Sequence, residues 1–461
     1  MEWEKLLSDK TFRPRSPLKD FDGRDPFEND YGRIISSTFI RRLQDKTQVF
    51  PLEESDFIRT RLTHSLEVSS IARSLGKSIE KRLVSDGKLN PKFQGYIPSL
   101  LNIAGLVHDL GNPPYGHFGE SAIQVFFEKY FSNSSNYNNS VWTDQEMNDF
   151  KFFDGNVQTF RILRKLAYLN DEHSYNITFS TLASIVKYPR SSISGNKGKM
   201  ATDIAEKKFG FFVTEEGDYK EISEYLGLDY SRHPIVFLLE AADDIAYSAA
   251  DIEDGVKLGS LNFETIYATF EEKLKEDQRK EEILQTLKRF YENARVIPSD
   301  RLDLTVRNFR IFTQGIMIEG ALTEFVTNHD NILAGNYGGE LISNSIAKNI
   351  RAAYKQLGFS VFEHKKIMQA ELAGWEVIKG LLEIFVDASK SSKFNANGNT
   401  YESRLYKMVS SSLRYMYETY PSVYHQSNLE YKKFQLITDF ISGMTDTYAL
   451  NYYRKLKGIK I

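Results

Sequence analysis

Apolar residues recur at steps of three and four through most of this chain, and that period admits helices and little else. In "THSLEVSSIARSLGKSIEKRL" Val68, Ile71, Leu75 and Ile79 follow His64 along one helical face, which puts His64 on the buried side. In "IPSLLNIAGLVHDLGNPP" Leu101, Ala104 and His108 share a face. Pro98 suits the first turn there, and Gly111 with Pro113 and Pro114 ends the helix. A third segment, "PIVFLLEAADDIAYSAADIEDGVK", lines up Leu239, Asp243, Tyr247 and Asp251 at steps of four, so carboxylates occupy a stripe where leucines would be expected. Helical pattern returns over 262–295, 305–330, 340–358, 365–390, 400–418 and 430–456. The best strand signal is "KFGFFVTEEGDYKEI" (208–222), read as a hairpin with Gly217 and Asp218 near its turn. Polar stretches at 131–151, 190–200 and 390–400 read as surface loops. The expectation is a mostly α protein, one helical domain with appended helices and at most a small β-hairpin.

The chemistry-bearing residues fall on those helices. His64, His108, Asp109 and Asp243 come from three segments, each a helix or a helix end. Two imidazoles and two carboxylates suit Mg²⁺, Mn²⁺, Fe²⁺, Co²⁺, Ni²⁺ or Zn²⁺. Taken singly, each has a structural reading. A histidine on an apolar face is more often a hydrogen-bonded core residue, Asp109 could be a helix-end carboxylate, and Asp243 could be salt-bridged at the edge of a buried face. The coincidence favours ligation, because buried charges need partners and these four would lie on three apolar faces at once. His117 and Glu120, three residues apart after the Pro-Pro break, form either a general acid/base dyad or the cap of a helix N-terminus, and spacing alone leaves both open. Arg61 precedes His64 by about one turn and could face the same cavity; Lys46, Arg59, Lys187 and Arg190 are further cations for a phosphate.

Composition narrows the function classes. With no cysteine among 461 residues there is no disulfide, thiolate nucleophile or thiolate metal site, which fits a reducing cytoplasm. A net charge of -3 gives no global positive field, so any anion site must be local. The N-terminus "MEWEKLLSDKTFRPRSP" has no apolar core, and no apolar run approaches the ~18 residues of a membrane span, so a cytoplasmic protein without membrane contact is expected. Phosphate-loop, dinucleotide and serine-hydrolase motifs are absent.

Seven segments, in order along the chain, carry a family resemblance: "RRLQDKTQVFP" (41–51), "RTRLTHSLEV" (59–68), "HDLGNPPYGHFGE" (108–120), "FDGNVQ" (153–158), "KYP" (187–189), "EAADDIAYSAADIEDG" (240–255) and "DFISGMTDTYAL" (439–450). Together they resemble the deoxyguanosine triphosphate triphosphohydrolases of the HD superfamily. The resemblance implies an HD helical fold with its core at about 40–260 and a C-terminal helical part at about 261–461. It implies that His64, His108, Asp109 and Asp243 hold a divalent metal, Mg²⁺ or Mn²⁺ foremost, and it selects Asp243 over Asp244 as the ligand. By the same resemblance His117 and Glu120 match the catalytic pair. Gln48 and Val49 match a filter for the deoxyribose, Arg61 and Lys187 match phosphate contacts, and Tyr247 and Asp251 match positions near sugar and phosphates.

Two departures stand out. "FDGN" replaces a His-Glu found in some relatives, leaving Asn156 as a weak substrate contact, and Asn112 stands where some related enzymes carry a second histidine. The implied reaction converts a deoxynucleoside triphosphate to deoxynucleoside and intact triphosphate. The alternatives are an HD phosphohydrolase acting on nucleoside monophosphates or alarmones, and a non-catalytic regulatory HD protein. The resemblance also implies a homo-oligomer, commonly a hexamer, and single-stranded DNA or a nucleotide as a possible effector; base preference is not legible.

Overall fold

The computed structural model describes residues 1–16, 22–52, 59–137, 140–167, 171–201, 203–294, 300–424 and 428–459. Among these every regular element is helical, and the one bridge of extended backbone joins Thr47 to Thr60. That bridge lies just before the helix Arg61–Ser85, which opens with a reciprocal cap: Thr63 N–H donates to Thr60 Oγ1, and Thr60 N–H donates to Thr63 Oγ1. The second helix, Tyr96–Val107, crosses the first where small residues meet, and a Cβ on Gly105 would fall 2.6 Å from the Ser69 backbone. Only glycine allows that approach, which brings the His64 and His108 rings to 5.4 Å between centroids. A third helix, Pro234–Lys257, packs against both, with proline in its first turn where the missing N–H costs nothing.

Buried apolar side chains form two clusters. One surrounds the His64 and Asp243 helices and draws on residues from Trp3 to Ile367; the other joins 115–166 to 377–452. Arg161, at the end of the helix Gly155–Arg161, bolts the second cluster together. Its guanidinium is wholly buried, grips Asp439 through Nε (2.9 Å) and Nη2 (2.8 Å), reaches Glu215 at 2.7 Å and lies over the Tyr424 ring. Arg161→Met keeps the volume but leaves two buried carboxylates short of their main partner, so unfolding in urea should show a loss of about 3 kcal/mol. A loss below about 1 kcal/mol would mean that Lys165 and Gln158, which also touch these carboxylates, suffice.

The structure corrects several sequence readings. The hairpin at 208–222 is absent: Phe209, Phe211 and Phe212 are buried in an irregular segment, and Gly217 and Asp218 lie in the first turn of the helix Glu216–Leu226. Acidic Glu216 and Asp218 suit that positive end of the helix dipole. The predicted loop at 131–151 contains the helix Asp144–Lys151, started by a Thr143–Glu146 capping box hidden in "TDQE". Three long helical predictions are each two helices, divided near 274–279, 409–410 and 443–445, and the one predicted over 340–358 begins at Lys348. Residues 138, 139 and 295 of those predictions lie outside the described residues. No helix among the described residues is long and apolar enough to cross a membrane.

Candidate active site

The three crossing helices converge on one cluster. Asp243 Oδ1 lies 3.1 Å from His64 Nε2 and 3.6 Å from His108 Nε2, and a donor atom from each residue falls within 4.8 Å of the others. Donors bound to a common ion at about 2 Å stand roughly 3 Å apart, so the three are spaced as ligands are. The His108 Nδ1–H donates to Gly105 O at 2.8 Å, a carbonyl left over at the helix end, which fixes the tautomer and turns Nε2 toward Asp243. That Nε2 is buried and has no hydrogen-bond partner. A lone pair stranded in this way costs about 1–3 kcal/mol unless something takes it up, and a divalent cation fits the donor set.

Asp109 adjoins the cluster. Its Oδ1 is 3.6 Å from His108 Nε2, and its Oδ2 accepts from Arg61 Nη1 at 2.5 Å. Lys187 Nζ stands 3.6 Å from Asp243 Oδ2. Burial would raise both carboxyls, yet His108 and the neighbouring cations hold Asp109 and Asp243 well below the usual range, so both remain ionised and able to ligate. Burial alone would lower the His108 imidazole, but these carboxylates outweigh it and raise it. Asp244, one position on, faces elsewhere: Arg351 grips it at 2.8 Å, and burial pushes its carboxyl up to about 7.

His117 Nδ1 meets Glu120 Oε2 at 2.8 Å, and Glu120 Oε1 accepts Gly155 N–H at 2.7 Å. Glu120 is buried, whereas the His117 side chain is 83% exposed. Glu120 therefore orients the imidazole instead of capping the helix Gly116–Ser132, and its hydrogen bond raises the His117 pKa. The carboxylate reaches Gly155 because no side chain intervenes; a Cβ there would fall 2.0 Å from Asn112 Oδ1 and 2.9 Å from Glu120 Oε1. The dyad adjoins Arg61, since a Cβ on Gly116 would meet Arg61 Nη2 at 2.7 Å.

The remaining predicted residues divide into two groups. Tyr247 and Asp251 continue the Asp243 stripe; Asp251 is buried with Oδ2 unpartnered, and burial pushes its carboxyl up to about 8 despite the Tyr247 hydroxyl. Gln48 Oε1 is likewise buried without a partner, beside buried Val49. Asn156 instead donates its backbone N–H and its side-chain Nδ2–H to Asp154, so it serves a helix cap. Lys46, Arg59 and Arg190 are spent on the protein. Lys46 Nζ donates to the Asn112 and Ser442 carbonyls, Arg59 pairs with Glu67, Glu253 and Asp254, and Arg190 donates to the Tyr230 carbonyl.

The HD domain model matches residues 61–208, and a phosphohydrolase-associated domain model matches 388–455. A deoxyguanosinetriphosphate triphosphohydrolase-like protein of Listeria innocua is 38% identical, with both chains covered in full. A like-named protein of Synechocystis is 33% identical, again over the whole of both chains. The deoxyguanosinetriphosphate triphosphohydrolase of Serratia proteamaculans is 31% identical over 96% of each. The chain belongs to the deoxyguanosine triphosphate triphosphohydrolase family of the HD superfamily. As a member it is a hydrolase. Within this triphosphohydrolase-family chain the HD match covers His64, His108, Asp109, His117, Glu120 and Lys187, whereas Gln48, Asp243, Tyr247 and Asp251 lie outside it. Sequence reasoning gave no role to Lys208, which pairs with Asp154 beside the dyad, or to Asp446 in the associated domain; their partners are 54 and more than 300 residues away.

Proposed function

We propose that this enzyme hydrolyses deoxynucleoside triphosphates, dGTP among them, to deoxynucleoside and inorganic triphosphate, with a divalent ion at His64, His108, Asp109 and Asp243. The unpartnered His108 Nε2, aimed among two carboxylates and a second imidazole beside an oriented His–Glu dyad, carries this reading. When bound, Mg²⁺ or Mn²⁺ supplies Lewis-acid charge next to the α-phosphate. Arg61 and Lys187 add fixed positive charge there and hold the triphosphate in place. Gln48 Oε1 meets the sugar 3′-hydroxyl, while Val49 closes the space a 2′-hydroxyl would need. Tyr247 and Asp251 wall the sugar and phosphate side, Asp251 carrying its proton near neutral pH and so able to donate to a phosphate oxygen.

The Nδ1–H of His117 points to Glu120, so Nε2 is the atom that takes the proton from the attacking water. Water oxygen bonds to the α-phosphorus, the bond from phosphorus to the 5′-oxygen breaks, and the 5′-oxygen leaves as the deoxynucleoside hydroxyl after taking up a proton. Only neutral His117 can act as base, so kcat/KM should rise with pH through an imidazole pKa that lies above the ordinary value. Glu120→Gln removes the charge that raises it; the acid limb should move to lower pH and the plateau should fall, and an unmoved limb would detach the dyad from catalysis. The overall reading is tested by incubating the purified protein with each deoxynucleoside triphosphate and with GTP in Mg²⁺ or Mn²⁺ and separating products by ion exchange. Deoxynucleoside with intact triphosphate is expected; orthophosphate or pyrophosphate would refute it.

A further inference from the structure

Gln48 and His117 are 69 positions apart in sequence, yet one carboxylate from the far end of the chain ties the loop that carries Gln48 to the loop that leads into His117. Asp446, the first residue of the helix Asp446–Leu456, is 2% exposed. Its Oδ2 accepts the Thr47 N–H at 3.0 Å and the Thr47 hydroxyl, and its Oδ1 accepts the Tyr115 N–H at 2.9 Å. Its carbonyl accepts the Tyr115 hydroxyl at 3.0 Å. Thr47 precedes Gln48 and pairs with Thr60 across the bridge beside Arg61. Tyr115 has a left-handed backbone (φ 63°) and lies two residues before His117.

Neighbouring contacts reinforce this joint. Thr447 Oγ1 donates to Asp45 Oδ1 at 2.8 Å, and Lys46 Nζ donates to both the Ser442 and Asn112 carbonyls. The Tyr115 ring lies against the helix Lys365–Ser389 at Gly374, where a Cβ would fall 2.4 Å from it. A carboxylate satisfied by two backbone N–H groups on separate loops leaves those loops little freedom to slide past one another.

We propose that Asp446 is a positioning residue that sets the sugar-facing Gln48 loop and the His117 loop in register, so that the associated domain governs both deoxy selectivity and turnover. The proposal rests on the triphosphohydrolase reading for its kinetic consequences. Its structural content can be measured without activity. In metal-loaded full-length Asp446→Ala, amide exchange should rise in both 43–51 and 110–117 and not in the core of the helix Arg61–Ser85. With turnover, kcat should fall about tenfold or more, and the preference in kcat/KM for a deoxynucleoside over a ribonucleoside triphosphate should shrink several-fold. Arg161→Met is the control: it lowers stability without touching either loop and should keep that preference.

Asp446→Asn retains one acceptor and should fall between parent and alanine variant; it decides the matter should the alanine variant not fold. Parental exchange in both loops together with parental selectivity and kcat would overturn the proposal and leave Asp446 a stabilising residue only. A parent that releases no triphosphate would overturn the triphosphohydrolase reading, while the exchange data would still decide whether Asp446 fixes the loops.

Discussion

Asp243→Ala should strip the protein of its divalent ion and reduce turnover by more than about a hundredfold, beyond what loss of an outer-sphere partner usually costs. Asp243 Oδ1 is the atom that both imidazoles share, at 3.1 Å and 3.6 Å, and among the described residues it completes the cluster of three, whereas Asp109 reaches His108. Asp244 cannot replace it, because Arg351 holds that carboxylate at 2.8 Å on another face of the helix. Metal content after dialysis, read by elemental analysis beside activity, checks this. Loss of both together is expected, and metal retained at parental stoichiometry would remove Asp243 from the ligand set. His64→Ala and Asp109→Ala should behave alike. Because the neighbouring carboxylates raise the His108 pKa, protons compete with the ion for Nε2, and metal affinity should weaken as pH falls through that raised value.

His117→Ala should keep nucleotide binding and lose turnover by about two to four orders of magnitude, the range expected for a general base. The side chain is 83% exposed and packs nothing essential, so the folded state should be nearly unaffected. Nor is it a ligand of the His64–His108–Asp243 cluster, so metal content should match the parent. Single-turnover rates at saturating nucleotide separate the two effects. Near-parental turnover would remove His117 from catalysis, whereas weakened binding with unchanged turnover would make it a substrate contact.

The helices that carry the His64–His108–Asp243 cluster were legible because their signal is local. Steps of three and four placed His64 and His108 on buried faces and Asp243 in line with buried Leu239, and the three residues do meet. The choice between Asp243 and Asp244 came from the family resemblance and not from periodicity, since its physical cause is Arg351, 107 residues downstream. The hairpin at 208–222 failed for a similar reason. Clustered phenylalanines read as strand when they are in fact anchors pressed into the core, and nothing local reveals that the described residues offer them no partner strand. The helix Asp144–Lys151 was missed although its capping box was present in "TDQE", because the polar residues around it outweighed that signal. The roles of Gly155 and Asp446 depend on contacts between distant segments: a glycine that lets a carboxylate approach, and a carboxylate whose partners lie 331 and 399 positions away.

In the proposed reaction water attacks the α-phosphorus and intact triphosphate is released. Its most direct test is phosphorus NMR of the products formed from dGTP in ¹⁸O-labelled water with Mg²⁺ or Mn²⁺. Inorganic triphosphate carrying one ¹⁸O on a terminal phosphorus and an unlabelled deoxynucleoside are expected. Label in the deoxynucleoside, or release of orthophosphate or pyrophosphate in place of triphosphate, would contradict it.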